Sequence, residues 1–256
     1  KTMEYAYADG AVANWARGIG RADDARALTE RSAAYRNLWD PAQGFLVGRS
    51  RDGAFSQLRS YTGWQDFYAE GGAWQYLWYA PHDLAGLATV LGGREMFLTR
   101  LDEFFTLSMQ ARRTPLPDPY YWHGNEPDIH APWIPSAFGE MARSSRYVDW
   151  VRRTRYTDGP DGIPGNDDGG TMSAWLLFAA VGAYPIAGTE TWLLAAPMVT
   201  EGRIAFANGA SLTVQCPTCG ASDVAPATAR WNNTTLTAPV LNQATIGSGG
   251  TLSFGP

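Results

Sequence analysis

Three polar turns, widely separated along the chain, carry the side chains best suited to acid–base chemistry. They contain Glu70 in the first, Asn125 and Glu126 in the second, and Asp167 and Asp168 in the third. Glycoside hydrolysis needs two carboxyl groups: one protonates the leaving oxygen, and the other activates water or attacks the sugar. If helical hairpins bring these turns to one rim, they can form such a pair.

Glu70 has aromatic neighbours in the sequence, namely Tyr68, Trp74 and Tyr76. An apolar environment raises the pKa of a carboxyl group, and this favours Glu70 as a general acid. The alternative is that Glu70 is a first-turn acidic residue, which interacts with the dipole of the following helix.

The third turn belongs to an acidic loop at residues 161–170, which is followed by an apolar run at residues 171–184 with helical spacing. Asp167 and Asp168 therefore lie at or just before a helix N-terminus. This position favours negative charge and lowers the pKa of a carboxylate. The alternative interpretation of Asp168 is a simple N-cap.

The second and third turns are rich in hard oxygen donors, without a companion cysteine: Asn125, Glu126, Asp128, Asp167 and Asp168. Such donors suit Ca²⁺ or Mg²⁺ better than zinc, although their spacing does not match an EF-hand. The sequence has no nucleophile elbow of the Gly-x-Ser-x-Gly type, no phosphate-binding loop and no His-Glu-x-x-His motif.

The composition narrows the function classes. The chain has eleven Trp, twelve Tyr and ten Phe, and such side chains can line sites for ring-shaped ligands, although a large core explains many of them. A net charge of −5 and the absence of Lys/Arg blocks argue against nucleic acid as a partner. No apolar run approaches the ~20 residues of a membrane span.

Cys216 and Cys219 form a Cys-Pro-Thr-Cys motif in a Ser/Thr/Gly-rich region. A zinc site needs two more ligands, and a redox site needs a flanking strand and helix. We therefore expect a small local disulfide in an exported protein.

The hydrophobic pattern predicts a mainly α chain with helical hairpins over residues 1–187 and a small β region at residues 188–256. The recurring hairpins indicate a helical toroid or solenoid. Helices are predicted at residues 2–18, 23–39, 73–79, 82–91, 94–110, 133–142, 145–154 and 171–184. Strands are predicted at residues 201–207, 210–215, 227–236 and 251–254, with a hairpin turn at Asn208-Gly209. The proline-rich segment at residues 114–121 is expected to be extended.

Several long motifs occur in the order found in a known family: YAEGGAWQYLWYAPHD (68–83), GNEP (124–127), PDGIPGNDD (160–168) and MSAW (172–175). Together they closely resemble the catalytic half of glycoside hydrolase family 92, and the resemblance covers nearly the whole chain. It implies the C-terminal part of an (α/α)6 toroid and an exo-acting, calcium-dependent, inverting α-mannosidase.

The resemblance also implies roles for individual residues. Glu70 matches the general acid and Asp168 the general base, with Asp167 as the alternative base. Asn125, Glu126 and Asp168 lie where the family holds Ca²⁺. The substrate-binding residues expected beside them are Trp74, Gln75, Trp122 and His123.

The resemblance further implies an N-terminal β-sandwich as a partner within the same protein, an α-mannoside glycan as substrate, and a secreted, periplasmic or cell-surface location. Gly169, Thr171 and residues 132–136 differ from the commonest family pattern, so the linkage that is cut stays open. Two other functions are also open: a glycan-binding module without catalysis, and another toroid hydrolase or lyase with a structural metal.

Overall fold

The computed structural model describes residues 1–112, 118–219, 226 and 228–255, and this part of the chain is helical first and β-rich later. Its α-helices are α1 Thr2–Gly18, α2 Ala22–Ser32, α3 Ala73–Tyr76, α4 Leu84–Val90, α5 Arg94–Gln110, α6 Ile134–Ala137, α7 Met141–Arg155, α8 Thr171–Val181 and α9 Gln243–Gly247. Short 3₁₀ segments lie at Ala33–Leu38, Pro81–Asp83 and Ala131–Trp133. The first half of the predicted extended segment at residues 114–121 lies outside the described residues.

The strands form three sheets. They are β1 Trp39–Asp40, β2 Phe45–Leu46, β3 Ala183–Pro185, β4 Thr191–Leu194, β5 Glu201–Ala205, β6 Ser211–Gln215, β7 Thr228–Trp231, β8 Thr234–Thr235, β9 Val240–Asn242 and β10 Gly250–Gly255. The five-stranded sheet has the order β5-β6-β10-β7-β8, in which β6 and β10 are parallel and the other pairs antiparallel. The order β3-β4-β9 forms a three-stranded antiparallel sheet, and β1 pairs with β2.

The predicted helices at residues 2–18 and 94–110 are confirmed at both ends. The predicted helix at 23–39 is α-helical only to Ser32 and then tightens into the 3₁₀ segment Ala33–Leu38. In that segment Tyr35 is fully buried, and its hydroxyl donates to the Asp83 carboxylate at 2.8 Å. This contact ties the 3₁₀ segment to the start of α4.

The predicted helices at 73–79, 133–142 and 171–184 were too long, and the first of them is only the single turn α3, which ends at Tyr76. The helix expected at 133–142 is only the single turn α6, because the chain turns at Gly139 with φ +86° and α7 begins at Met141. The helix expected at 171–184 ends at Val181, where Gly182 takes φ +71° beside the Ala195 carbonyl. A side chain at residue 182 would collide with that carbonyl, so glycine ends α8 there and β3 follows.

The strands predicted from β-branched alternation are confirmed as β5, β6, β7 with β8, and β10. Asn208-Gly209 lies between β5 and β6, and Gly209 has φ +85°. The Cys216–Cys219 disulfide is also confirmed.

The described residues form two compact units. One comprises Lys1–Ala131 with Ala187–Thr189, and its buried aromatic residues include Trp78, Phe97 and Phe104. The other comprises Pro132–Ile186 with Glu190–Pro256, so α6 to α8 belong to the unit that contains the three-stranded and five-stranded sheets. These compact units divide the chain after Ala131. The domain boundary predicted after residue 187 stays a prediction.

None of the described helices has the length and hydropathy needed to cross a membrane.

Candidate active site

The backbone of Glu70 is held on both sides. Its N–H donates to the Tyr76 hydroxyl at 3.2 Å, and its carbonyl oxygen accepts from Asn125 Nδ2 at 3.5 Å. The next residue, Gly71, has φ +102°, and a Cβ there would meet Gln75 Oε1. Glycine is therefore required at position 71 for the sharp turn that leaves the Glu70 side chain half-buried just before α3.

Gln75 connects this turn to the backbone near Asp118 through its side-chain amide. It is fully buried, its Oε1 accepts from Gly72 N–H at 2.6 Å, and its Nε2 donates to the carbonyl oxygens of Asp118 and Tyr120, both at 2.8 Å. Both amide hydrogens are thus already used. The predicted contact between Gln75 and substrate does not fit this geometry, which gives Gln75 a positioning role instead.

Trp74 also lies in the interior, with 6% of its surface exposed. Its ring stacks on Phe104 at 6.0 Å, meets Phe45 edge-on at 5.2 Å, and lies 4.5 Å from the Arg100 guanidinium carbon. Burial lowers the pKa of Arg100. Trp74 thus supports the base of the Glu70 loop, and its contact with substrate stays a prediction.

Trp122 and His123 occupy different environments. His123 is buried, and its Nδ1 is 2.5 Å from the Tyr121 hydroxyl. Trp122 is half-buried, and its ring meets that of Trp64 at 6.3 Å between centroids. Trp64 is 51% exposed, and sequence reasoning missed it. A tryptophan in a loop rich in Gly and Ser, outside any apolar pattern, was the available signal.

The turn after Trp122 is tightly closed. Asn125 N–H donates to the Trp122 carbonyl at 3.0 Å, and Trp122 N–H donates to Asp128 Oδ2 at 3.0 Å. Asn125 is buried, whereas Glu126 is exposed. This turn and the Glu70 loop lie in the same compact unit, so the structure brings two of the three predicted polar turns together.

Within the described part of the chain, no group of three His, Cys, Asp or Glu residues is close enough to hold a metal ion. Asn125 and Glu126 nevertheless offer an amide and a carboxylate oxygen from adjacent residues, and such hard donors fit Ca²⁺. Asp168, the third predicted ligand, belongs to the other compact unit.

Asp167 caps the first turn of α8. Its Oδ1 accepts from Ser173 N–H at 2.9 Å, its Oδ2 accepts from Ser173 Oγ at 3.0 Å, and its carbonyl accepts from Thr171 N–H at 2.7 Å. These bonds satisfy backbone donors that a helix start otherwise leaves unpaired. The alternative interpretation of Asp168 as the N-cap is therefore wrong, because Gly170 occupies the N-cap position and the Asp167 carboxylate accepts the free N–H of the first turn.

Asp168 is exposed and has an unusual backbone. Its φ is +45°, and Gly169 and Gly170 follow with +71° and +97°, so three successive residues are left-handed. A residue other than glycine pays of order 1 kcal/mol for such a conformation, and this strain concentrates at functional sites. The acidic loop thus keeps an exposed carboxylate directly beside the one that caps α8.

The start of α8 is also fixed by aromatic packing. Tyr156 donates its hydroxyl to the Met172 carbonyl at 2.9 Å and stacks on Trp175 at 5.9 Å. Trp175 in turn meets the fully buried Trp133. Burial raises the pKa of Tyr156, which therefore stays a neutral donor. The helix start that carries the acidic loop is accordingly rigidly supported.

Known proteins resemble most or all of the chain. A sequence model of the glycosyl hydrolase family 92 catalytic domain matches residues 1–255. A protein of Arthroderma benhamiae, named as an uncharacterized secreted glycosidase, is 28% identical over 221 residues, which are 77% of this chain and 27% of that protein.

Two solved structures from Bacteroides thetaiotaomicron are similar. The family GH92 α-mannosidase BT3965 is 29% identical with a TM-score of 0.85, over 99% of this chain and 34% of its own. The family GH92 inverting mannosidase BT2199 is 26% identical with a TM-score of 0.83, over 100% and 36%. The chain thus spans about a third of these structures and about a quarter of the curated relative. It belongs to glycoside hydrolase family 92, within the catalytic domain.

Proposed function

We propose that this chain carries the catalytic carboxyl groups of an exo-acting, inverting, Ca²⁺-assisted α-mannosidase. The observation that carries the proposal is the division of labour in the acidic loop, where Asp167 caps α8 and the strained, exposed Asp168 does not. Further support comes from the names of the two similar structures, an α-mannosidase and an inverting mannosidase.

In this proposal Glu70 donates its proton to the glycosidic oxygen as the bond from that oxygen to the anomeric carbon breaks. Asp168 accepts a proton from the water molecule that attacks the opposite face of the sugar. The leaving group departs as an alcohol, and the released mannose has the inverted, β configuration. The exposed ring of Trp64 and the half-buried ring of Trp122 beside it offer aromatic surface for sugar contact.

Ca²⁺ would be held by Asn125, Glu126 and Asp168. A bound ion would supply positive charge beside the sugar hydroxyl groups. This assignment is supported by the donor chemistry of the three side chains, all of which offer hard oxygen atoms.

The helices are proposed to form the C-terminal part of an (α/α)6 toroid that continues into the rest of a longer protein with an N-terminal β-sandwich. The share of the similar structures that is covered supports this, at 34% and 36%. An exposed apolar stripe on α1 also supports it, since the residues recur at helical spacing. The large members of the stripe are Tyr5, Val12 and Trp15 in α1, followed by Ile19 directly after the helix.

We further propose that the protein is exported. The Cys216–Cys219 disulfide persists best in an oxidising compartment. The curated relative is named as a secreted glycosidase, which agrees with this location.

The decisive experiment follows hydrolysis of an aryl α-mannoside by the full-length protein, with excess Ca²⁺ and with a chelator. NMR spectra recorded in the first seconds should show β-mannose as the first product, and the chelator should abolish its release. Release of α-mannose first would overturn inversion, and full activity in chelator would overturn the role of Ca²⁺. Mannose binding without hydrolysis would identify a glycan-binding module instead.

A further inference from the structure

The Tyr76 hydroxyl lies between two acidic residues from distant parts of the chain. It accepts the backbone N–H of Glu70 at 3.2 Å and donates to Glu4 Oε1 at 2.9 Å. Glu4 lies in the first turn of α1, and Tyr76 is the last residue of α3. All three residues belong to one compact unit.

We propose that Glu4 and Tyr76 are positioning residues that set the placement of the Glu70 carboxyl group for proton donation. The inference rests on the proposed function, since it assigns Glu4 and Tyr76 to the role of Glu70 as general acid. Neither residue needs to touch the substrate.

The geometry gives each residue a distinct task. A tyrosine hydroxyl has one hydrogen, so donation to Glu4 turns its lone pairs toward the Glu70 N–H. Glu4 therefore orients the hydroxyl, and the hydroxyl holds the backbone of Glu70. Without Glu4, the hydroxyl could rotate and donate elsewhere, which would release the N–H.

The surroundings keep this contact rigid. Tyr76 is 2% exposed, and its ring stacks on Tyr68 at 4.8 Å with an interplanar angle of 19°. Burial, followed by the charge of Glu4, raises the pKa of Tyr76, so its hydroxyl remains a neutral donor across the working pH range. The packed ring therefore holds the hydroxyl oxygen in place, and rotation of the hydroxyl hydrogen is the remaining variable.

The consequence for catalysis is specific to the acid. A leaving group that is already stable as an anion needs no proton, whereas a poor leaving group depends on a correctly placed acid. Misplacement of Glu70 should therefore slow poor leaving groups and spare good ones. General destabilisation of the protein would slow both equally.

The test measures kcat and KM for a series of aryl α-mannosides, from 2,4-dinitrophenyl to 4-methoxyphenyl, with the full-length protein and its Tyr76→Phe and Glu4→Ala variants. We expect kcat for the poorest leaving group to fall at least about tenfold, since a ~1 Å misplacement can cost ~10²-fold. The kcat for the best leaving group and all KM values should change little. Glu4→Gln keeps an oxygen acceptor and should recover part of the loss.

Tyr68→Phe is the matched control, because it also removes a buried hydroxyl from the same stack, here one that donates to the Leu46 carbonyl at 2.7 Å. This variant should leave the dependence on leaving group unchanged. An equal fall for every leaving group in Tyr76→Phe would overturn the inference. Absence of hydrolysis in the unmodified protein would instead overturn the proposed function, so the two failures are distinguishable.

Discussion

Asn125 Nδ2 donates a hydrogen bond to the backbone carbonyl of Glu70 at 3.5 Å. The turn that offers oxygen donors for Ca²⁺ is therefore in direct contact with the loop that carries the proposed general acid. A shift of the Asn125 side chain is therefore expected to change the position of the Glu70 backbone. Metal binding and acid placement are thus expected to depend on each other in this unit.

Asn125→Asp separates these two tasks. The variant keeps an oxygen donor for Ca²⁺ but loses the N–H that contacts Glu70, so kcat should fall about tenfold, within the range attributed to misplaced catalytic groups, while Ca²⁺ affinity is retained. Glu126→Gln, at an exposed position, should instead lower Ca²⁺ affinity because it removes a ligand charge. Calorimetric Ca²⁺ titration and turnover measurements check both variants. Loss of Ca²⁺ affinity in Asn125→Asp with unchanged kcat at saturating Ca²⁺ would refute the separation.

Much of the fold could be predicted from local pattern. Helical periodicity gave α1 and α5, and β-branched alternation gave β5, β6 and β10. The missed strands β3, β4 and β9 are only three or four residues long, and β9 reaches β4 through pairs such as Thr191 with Asn242, which are far apart in sequence. Such pairing leaves no periodicity for a sequence to display.

The candidate site was predictable in part. Motifs identified Glu70 and the 125–126 turn, and the structure places these together. Sequence could not separate the roles of Asp167 and Asp168, since both precede a helix and only the backbone conformation decides which one caps it. The sequence also could not show that the Gln75 amide group donates both of its hydrogens to backbone carbonyls that lie more than 40 residues away in sequence.

The acidic loop predicts opposite phenotypes for its two aspartates. Asp168→Asn should lower kcat by about 10²-fold or more, as expected for a lost general base, and leave stability unchanged because asparagine tolerates positive φ. Asp167→Ala should lower the free energy of unfolding by about 1 kcal/mol through loss of the cap. Turnover and urea unfolding of both variants check this. A large loss of stability in Asp168→Asn, or normal turnover, would contradict the assignment.

Gln75 should affect stability and not sugar affinity. Gln75→Ala removes the partners of one N–H and two carbonyl groups at a fully buried position, so we expect a loss of about 2–4 kcal/mol in the free energy of unfolding. Near-saturating Ca²⁺ and low temperature keep the variant folded for assay, and KM for an aryl mannoside should then stay close to that of the unmodified protein. A variant with normal stability and a strongly raised KM would restore the substrate-binding role.

His130 predicts how stability depends on pH. It is 5% exposed, its Nε2 is 2.9 Å from the Trp78 carbonyl, and burial lowers its pKa from 6.5 to about 4. The unfolded chain therefore binds a proton at a higher pH than the folded protein does. The contribution is fully present above pH ~6.5 and is lost as pH falls from ~6.5 to ~4, for a total of roughly 3 kcal/mol.

The matched variant is His130→Gln, which can still donate to the Trp78 carbonyl but does not titrate. Urea unfolding at pH 7, 5.5 and 4.5 should show a stability difference between the two proteins that shrinks steadily as pH falls, because only the histidine protein loses this contribution. Burial acts to raise the pKa of the Asp83 carboxyl group, but hydrogen bonds from Arg36 and Tyr35 lower it overall. The pH dependence that such carboxylates add to stability is the same in both proteins and cancels in the difference. Parallel pH profiles would show that His130 is protonated as easily in the folded state as in the unfolded chain.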